Sequence, residues 1–258
     1  MRNWKRFVVK IGSSTVCKAN GKLNLKLLDK LIMTLSDLKN DDLDIVLVTS
    51  GAVAVGINKL GLKEKPKDIP TKQASAAIGQ GELMYIYEKL FSDYGHTTAQ
   101  ILLTKDVFEM QERKNNVVNT FEALFKMNVV PIVNENDTVA YDEIVYGDND
   151  TLSAIVASLT KADGLVIFSD VNGLYDKNPH LNEDAKLIEV VNEITEDIIK
   201  MATGSTSKIG TGGMMTKIHA AEISFEANVE TIIANGQDPT VLYDILDGKS
   251  VGTSFIRR

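Results

Sequence analysis

The chain has 258 residues, 44% of them hydrophobic and 24% charged, with a formal net charge of −7 and a single cysteine, Cys17. This length is enough to bury a full core in one large α/β domain or two small ones. The acidic balance argues against general nucleic-acid or membrane-surface partners, one cysteine excludes an internal disulfide, and no apolar run approaches the ~18 residues of a spanning helix. A cytoplasmic protein is therefore expected. The basic start, Met1 to Arg6, leads into an apolar run that stops at Lys10, too short for the core of a signal peptide.

The first predicted strand is Phe7–Ile11, and Lys10 near its end precedes Gly12, Ser13, Ser14 and Thr15. A lysine at a buried strand end is costly unless an anion meets it, and glycine lets a ligand approach the backbone. The same string also reads as a snorkelling lysine before a serine-rich turn. Leu28, Leu31, Ile32, Leu35 and Leu38 then fall on one helical stripe. A strand at Asp44–Val48 leads into Thr49, Ser50, Gly51 and Ala52. Small residues there either form a tight turn or leave helix-opening N–H groups for a carboxylate or phosphate.

A third strand, Thr98–Leu102, is followed by the helical stripe Val117, Phe121, Leu124 and Phe125, and a fourth, Val129–Val133, by Asn134-Glu135-Asn136-Asp137. Gly147-Asp148-Asn149-Asp150 precedes a helix over Thr151–Leu159. Asp150 alone reads as a helix cap and Asp148 as a turn residue. Two acidic clusters after neighbouring elements point to a polar site that meets a substrate ammonium or orients lysines. A soft boundary at 160–163 separates two lobes of one domain.

The strand Leu165–Phe168 opens the second lobe and runs into Ser169 and Asp170, where a contact to a nucleotide fits, although Asn172-Gly173 also makes an ordinary turn. Gly210-Thr211-Gly212-Gly213-Met214-Met215-Thr216-Lys217 is the most informative string. It offers exposed amides, two hydroxyls and an ammonium, which is a phosphate-binding arrangement. It is not a P-loop, because Thr216 precedes Lys217, and no G-x-G-x-x-G runs through it. The stripe Ile218, Ala221 and Phe225 and a strand at Glu230–Ala234 follow. Near-continuous apolar strands alternating with helices predict a mostly parallel sheet covered on both faces, with ligands beyond the carboxyl ends of the strands. His96, His180 and His219 have no metal-ligand spacing, so no protein-held metal site is predicted, and Cys17 reads as a small hydrophobe.

In this order the strings resemble the amino acid kinase family, from Val8 to about Ala234. The Lys10 string alone would identify only the wider family. The pairing of Asn134-Glu135-Asn136-Asp137 with Gly147-Asp148-Asn149-Asp150 is similar to the branch that phosphorylates free glutamate. The resemblance implies a three-layer α-β-α sandwich in a single domain over 1–258, with lobe 1–160 holding glutamate and lobe 161–258 holding ATP. It implies ATP-dependent phosphorylation of the L-glutamate side-chain carboxylate to L-glutamyl 5-phosphate, the first step of proline biosynthesis. Carried over, Lys10 and Lys217 stabilise the transferring phosphoryl group and Asp150 orients both. Ser50, Gly51, Ala52, Asn134, Asp137, Asp148 and Asn149 meet glutamate, with Asp137 and Asp148 facing its ammonium and the Asn149 amide holding its α-carboxylate. Lys10, Gly12, Ser169, Asp170 and the loop Thr211, Gly212, Gly213, Met214, Met215, Thr216 and Lys217 meet ATP, with Mg²⁺ carried on the phosphates.

The resemblance further implies a homo-oligomer, dimer or tetramer, and feedback by proline through the loop Tyr141–Tyr146, where Val145 stands in place of a common basic residue. Ser169 stands where relatives often have threonine. Many relatives carry an added RNA-binding-type (PUA) domain, and with the sequence ending at Arg258 none is expected here. Two alternatives stay open: a family member acting on N-acetylglutamate or carbamate, and a non-catalytic amino-acid or nucleotide sensor. The joint presence of Lys10, Lys217 and Asp150 argues against the sensor.

Overall fold

The computed structural model describes residues 1–18, 20–104, 107, 109–139, 149–179, 181–203 and 213–257. At its centre is β1 (Arg6–Lys10), buried in all but its first residue. Its alternation shows why the run is apolar throughout. Phe7 and Val9 face one hydrophobic core while Val8 faces another. Helices α1 (Ser13–Val16) and α2 (Leu25–Asn40) lead to β2 (Asp44–Val48), which pairs with β1 in parallel, Arg6 opposite Asp44 through Lys10 opposite Val48. After α3 (Ala52–Lys59) and α4 (Ile69–Asp93) come β3 (Thr98–Leu103), α5 (Gln111–Lys126) and β4 (Val130–Glu135). The second half comprises α6 (Asn149–Leu159), β5 (Gly164–Ser169), β6 (Val190–Val191), α7 (Glu196–Thr203), α8 (Met214–Glu226), β7 (Glu230–Asn235), α9 (Val241–Leu246) and β8 (Thr253–Phe255).

Among the described residues the strands form one eight-stranded sheet in the order β3-β4-β2-β1-β5-β7-β8-β6, with the β7–β8 pair antiparallel and the other pairs parallel. The chain builds outward from β1 to one side and then, from β5 onward, to the other. The carboxyl ends of β1 and β5 therefore sit side by side where the winding reverses, which is where open α/β sheets bind ligands. Leu28, Leu31 and Leu35 of α2, Leu83, Tyr87 and Phe91 of α4 and Leu242 of α9 pack with Phe7, Val9, Leu47 and Phe168. Phe121 and Phe125 of α5, Leu152 and Val156 of α6 and Ala220 of α8 pack with Val8, Val46 and Ile167. The result is the expected three-layer sandwich.

The six predicted strands are all present, within a residue or two of their predicted ends. The edge strand β6 and its neighbour β8 are two and three residues long, too short for an apolar run to announce them. Helix α4 was also not predicted. Its buried face includes Ser75, Gly79 and Gln80, so its apolar period is hidden. Its start did carry a signal, since the Asp68 carboxylate caps it by accepting from the Thr71 N–H, with Pro70 in the first turn. Helices α3 and α4 cross so closely that a Cβ on Gly56 would lie 1.8 Å from the Ser75 carbonyl oxygen, and one on Gly79 1.8 Å from that of Ala52.

Candidate active site

Three elements converge beyond the carboxyl end of β1. Lys10 is the last residue of β1, Asp150 lies in the first turn of α6, and Thr216 and Lys217 lie in the first turn of α8. The Lys10 ammonium is 2.5 Å from Asp150 Oδ1, and the Lys217 ammonium is 3.1 Å from Asp150 Oδ2. The Thr216 hydroxyl donates to the same Oδ2 at 2.6 Å. Asp150 has no exposed surface, and Lys10 and Lys217 are only 6% and 5% exposed. Asp150 is therefore not a helix cap. The helix starts two residues earlier than predicted, and the carboxylate serves the lysines. Burial pushes the Asp150 carboxyl up, but Lys10 and Lys217 with the Lys10 and Thr216 hydrogen bonds outweigh it and hold it well below the usual carboxylate range. Two cations on one anion leave a net positive charge, reinforced by the N-termini of α6 and α8. A polyanion brought here meets cations already desolvated and aimed.

On the other side of the α6 start lies a relay of buried amides. Asn149 Nδ2 is 2.5 Å from the Thr49 carbonyl, 2.9 Å from Ser50 Oγ and 2.8 Å from Asn134 Oδ1. Asn134 Oδ1 also accepts from the Glu135 N–H at 2.9 Å, and Asn134 Nδ2 donates to Gln80 Oε1 at 2.8 Å. The Thr49 hydroxyl meets the fully buried Tyr87 at 2.7 Å. The Asn149 nitrogen, expected from the resemblance to hold the glutamate α-carboxylate, is here directed into protein acceptors. Among the described residues the Asn149 oxygen has no partner, and neither has Gln80 Nε2, which is buried with it. Gly51 caps the start of α3 at φ 101°, a left-handed conformation that suits glycine, and Ala52 is buried behind it. Asp137 is half-buried, and burial pushes its carboxyl up to about 6.

A pocket opens beside Lys217, lined by Ser169, Asp170, Gly213 and Met214 among the predicted residues. Val171, Leu174 and Tyr175, which continue the Ser169–Asp176 string read from the sequence as a place for a nucleotide contact, and Met201, which the sequence did not single out, supply apolar and aromatic walls. Met215 is 37% exposed and does not line it, while Thr216 turns to Asp150. Gly12 sits next to the Lys10 ammonium, 3.8 Å from where its Cβ would be. Asp148, Thr211 and Gly212, together with Gly147, Gly210, the Tyr141–Tyr146 loop with Val145, and His180, lie outside the described residues. Gln80 and Thr49 were not predicted as site residues. Gln80 carries no local signal, because a lone polar residue within a helix looks solvated until the fold buries it. Cys17 is buried, which pushes its thiol up to about 11 and fits the small-hydrophobe reading.

The sequence profile of the amino acid kinase family matches residues 5–235. The chain is 51% identical over 257 residues to a protein of Enterococcus faecalis named glutamate 5-kinase, covering 98% of this chain and 95% of that one. It is 53% identical over 251 residues to a glutamate 5-kinase of Thermoanaerobacter sp., covering 97% of this chain and 68% of the relative. Among solved structures, carbamate kinase from Giardia lamblia bound to AMP-PNP matches with a TM-score of 0.71 at 17% identity over 100% of both chains. UMP kinase from Bacillus anthracis matches at 0.65 and 14%, over 99% of this chain and 97% of that one. At such identities these structures speak for the fold alone.

Proposed function

Because the chain belongs to the amino acid kinase family, we propose that it catalyses the reaction for which its half-identical relatives are named, the ATP-dependent phosphorylation of L-glutamate. The product is L-glutamyl 5-phosphate, and the reaction is the first step of proline biosynthesis. The observation that carries this reading is the buried Lys10–Asp150–Lys217 cluster, placed between an apolar-walled pocket and a relay of amides. ATP occupies the pocket at Ser169, Asp170, Gly213 and Met214, in the lobe after residue 160. Glutamate occupies the side of Ser50, Gly51, Ala52, Asn134, Asp137 and Asn149, in the lobe before it.

A side-chain carboxylate is already a nucleophile at neutral pH, so the site needs no general base. One carboxylate oxygen of glutamate forms the new P–O bond, the bond from the γ-phosphorus to the bridging oxygen breaks, and ADP leaves. Catalysis then reduces to alignment and charge stabilisation. Lys10 and Lys217 supply point charges to the transferring group, and Asp150 holds both in place. The oxygens of Asp150 are committed to lysines and a threonine, so the residues present fit a Mg²⁺ ion carried on the phosphates of ATP. When bound, such an ion would neutralise phosphate charge.

No helix among the described residues is long and apolar enough to cross a membrane, consistent with an enzyme of the cytoplasm. Proline competing with glutamate, and assembly as a dimer or tetramer, complete the reading. The test is ADP release across L-glutamate, N-acetylglutamate, carbamate, aspartate and UMP, with hydroxylamine as a trap. Turnover should be confined to glutamate and should yield glutamyl hydroxamate in an ATP- and Mg²⁺-dependent way. ADP release without hydroxamate would mean hydrolysis or another acceptor.

A further inference from the structure

Gln80 is buried on α4, nearer in sequence to neither the phosphate strings nor the acidic ones, yet its side chain ends against Asn134. Two backbone groups settle the polarity of this relay. The Glu135 N–H can only donate, so Asn134 must turn its oxygen toward it at 2.9 Å. The Thr49 carbonyl can only accept, so Asn149 must turn its nitrogen toward it at 2.5 Å. The Asn134 oxygen then also receives the Asn149 nitrogen, and the Asn134 nitrogen is left needing an acceptor. Gln80 Oε1 is that acceptor. Among the described residues, the relay ends in one buried donor without a partner, Gln80 Nε2, and one buried acceptor without a partner, Asn149 Oδ1.

Stability does not explain this glutamine. A methionine would leave the Asn134 nitrogen unpaired in place of the Gln80 nitrogen, so one buried NH₂ lacks a partner either way. What glutamine adds is an oxygen that stops the Asn134 amide from turning. Its backbone is held for the purpose. The preceding Gly79 packs so closely on Ala52, at the start of α3, that a Cβ there would lie 1.8 Å from the Ala52 carbonyl oxygen. The helix bearing Gln80 is thereby pinned to the segment that carries Ser50 and Gly51.

We propose that Gln80 is a positioning residue for the acceptor substrate: by bracing the Asn134 amide in the orientation the Glu135 N–H sets, it helps the Thr49 carbonyl hold Asn149 with its carbonyl oxygen as the unpaired pole, which suits a substrate bearing a protonated amine. This role rests on the glutamate-phosphorylating reading above. A site so poled selects the free amino acid over forms whose nitrogen is acylated, because acylation removes the charge and donors that an acceptor requires.

The test is steady-state kinetics on Gln80→Met, Gln80→Glu, Asn134→Ala and the Gln80→Met/Asn134→Ala double variant, with melting temperatures. Gln80→Met should raise the glutamate KM about tenfold, the effect of losing one fixed buried hydrogen bond. Its kcat and ATP KM should stay within about twofold and its Tm within about 3 °C, since the count of unpaired groups is unchanged. Gln80→Glu, which keeps an oxygen opposite Asn134, should restore most of the affinity. In the Asn134→Ala background Gln80→Met should add little, since it acts through Asn134. An unchanged glutamate KM in Gln80→Met, additive effects in the double variant, or Gln80→Glu as poor as Gln80→Met would each overturn the role of Gln80 while glutamate turnover by the unsubstituted protein stands. No glutamate turnover by the unsubstituted protein would overturn the activity reading itself, and this role with it.

Discussion

Asp150 is the residue on which the two buried ammonium groups depend, and its environment makes its loss costly in two ways. Asp150→Asn leaves Lys10 and Lys217 without their anion, and breaking a buried pair in this manner costs about 3–5 kcal/mol. The pH dependence follows from the depressed carboxyl. The unfolded chain takes up the proton near its ordinary value of 3.8 while the folded protein resists it. The contribution is thus fully present above that value and is lost as pH falls below it. Thermal melts should show a steeper acid loss of Tm in the unsubstituted protein than in Asp150→Asn. Lys10→Ala and Lys217→Ala should each lower kcat by about 10²–10³, the usual effect of removing one preorganised electrostatic donor, with smaller changes in glutamate KM. Near-normal turnover in either variant would remove that lysine from the mechanism. Asp137 behaves oppositely, because burial lifts it to about 6 and keeps the proton on the folded protein. It favours the fold most at low pH, and this contribution fades as pH rises through about 6. If its carboxylate faces the substrate ammonium, the glutamate KM should climb as pH drops below about 6, and Asp137→Asn should flatten that climb.

The crossing of α3 and α4 decides where several site residues stand. Ala52 and Gly56 on one helix meet Ser75 and Gly79 on the other, and neither glycine can accept a methyl group without displacing backbone. Gly79→Ala should therefore cost at least the ~1–3 kcal/mol typical of overpacking. It should also raise the glutamate KM more than the ATP KM, since Ser50 and Gln80 ride on the displaced segments while Ser169 and Lys217 do not. A drop in Tm with both KM values unchanged would show that the crossing supports the fold but not the site. The contrast with α2 shows why α4 escaped prediction. The buried face of α2 is mostly leucine and isoleucine, so its period is visible. That of α4 mixes serine, glycine and glutamine with leucine and tyrosine, because it packs against a neighbouring helix at close range and against a polar relay.

Across the whole molecule, the reversal of winding at β1 places the ends of β1 and β5 together, with Lys10 beside the β5 strand that ends in Ser169. The two proposed substrates should then protect different halves. Hydrogen exchange with a nonhydrolysable ATP analogue should slow amides around 169–175 and 213–217, and exchange with glutamate those around 49–52 and 134–137. Protection by glutamate confined to the later half would reverse the assignment of the lobes.

The sequence by itself determined the layers and the chemistry. Strands buried on both faces must be apolar throughout, so β1, β2, β4, β5 and β7 announce themselves, and Lys10, Asp150 and Lys217 stand out because charges beside such runs need partners. The loops at the strand ends also carry their composition openly, which is why Ser50, Asn134, Asn149 and Ser169 could be named in advance. Only the tertiary structure decided which groups face which. That both oxygens of Asp150 serve lysines 140 and 67 residues away, and that the Asn149 nitrogen points inward, are matters of orientation that composition does not encode. Gln80 is the clearest case. Its neighbours in sequence mark no site, and it becomes part of one when folding brings Asn134 to its side chain from 54 residues away and removes the water that would otherwise satisfy both.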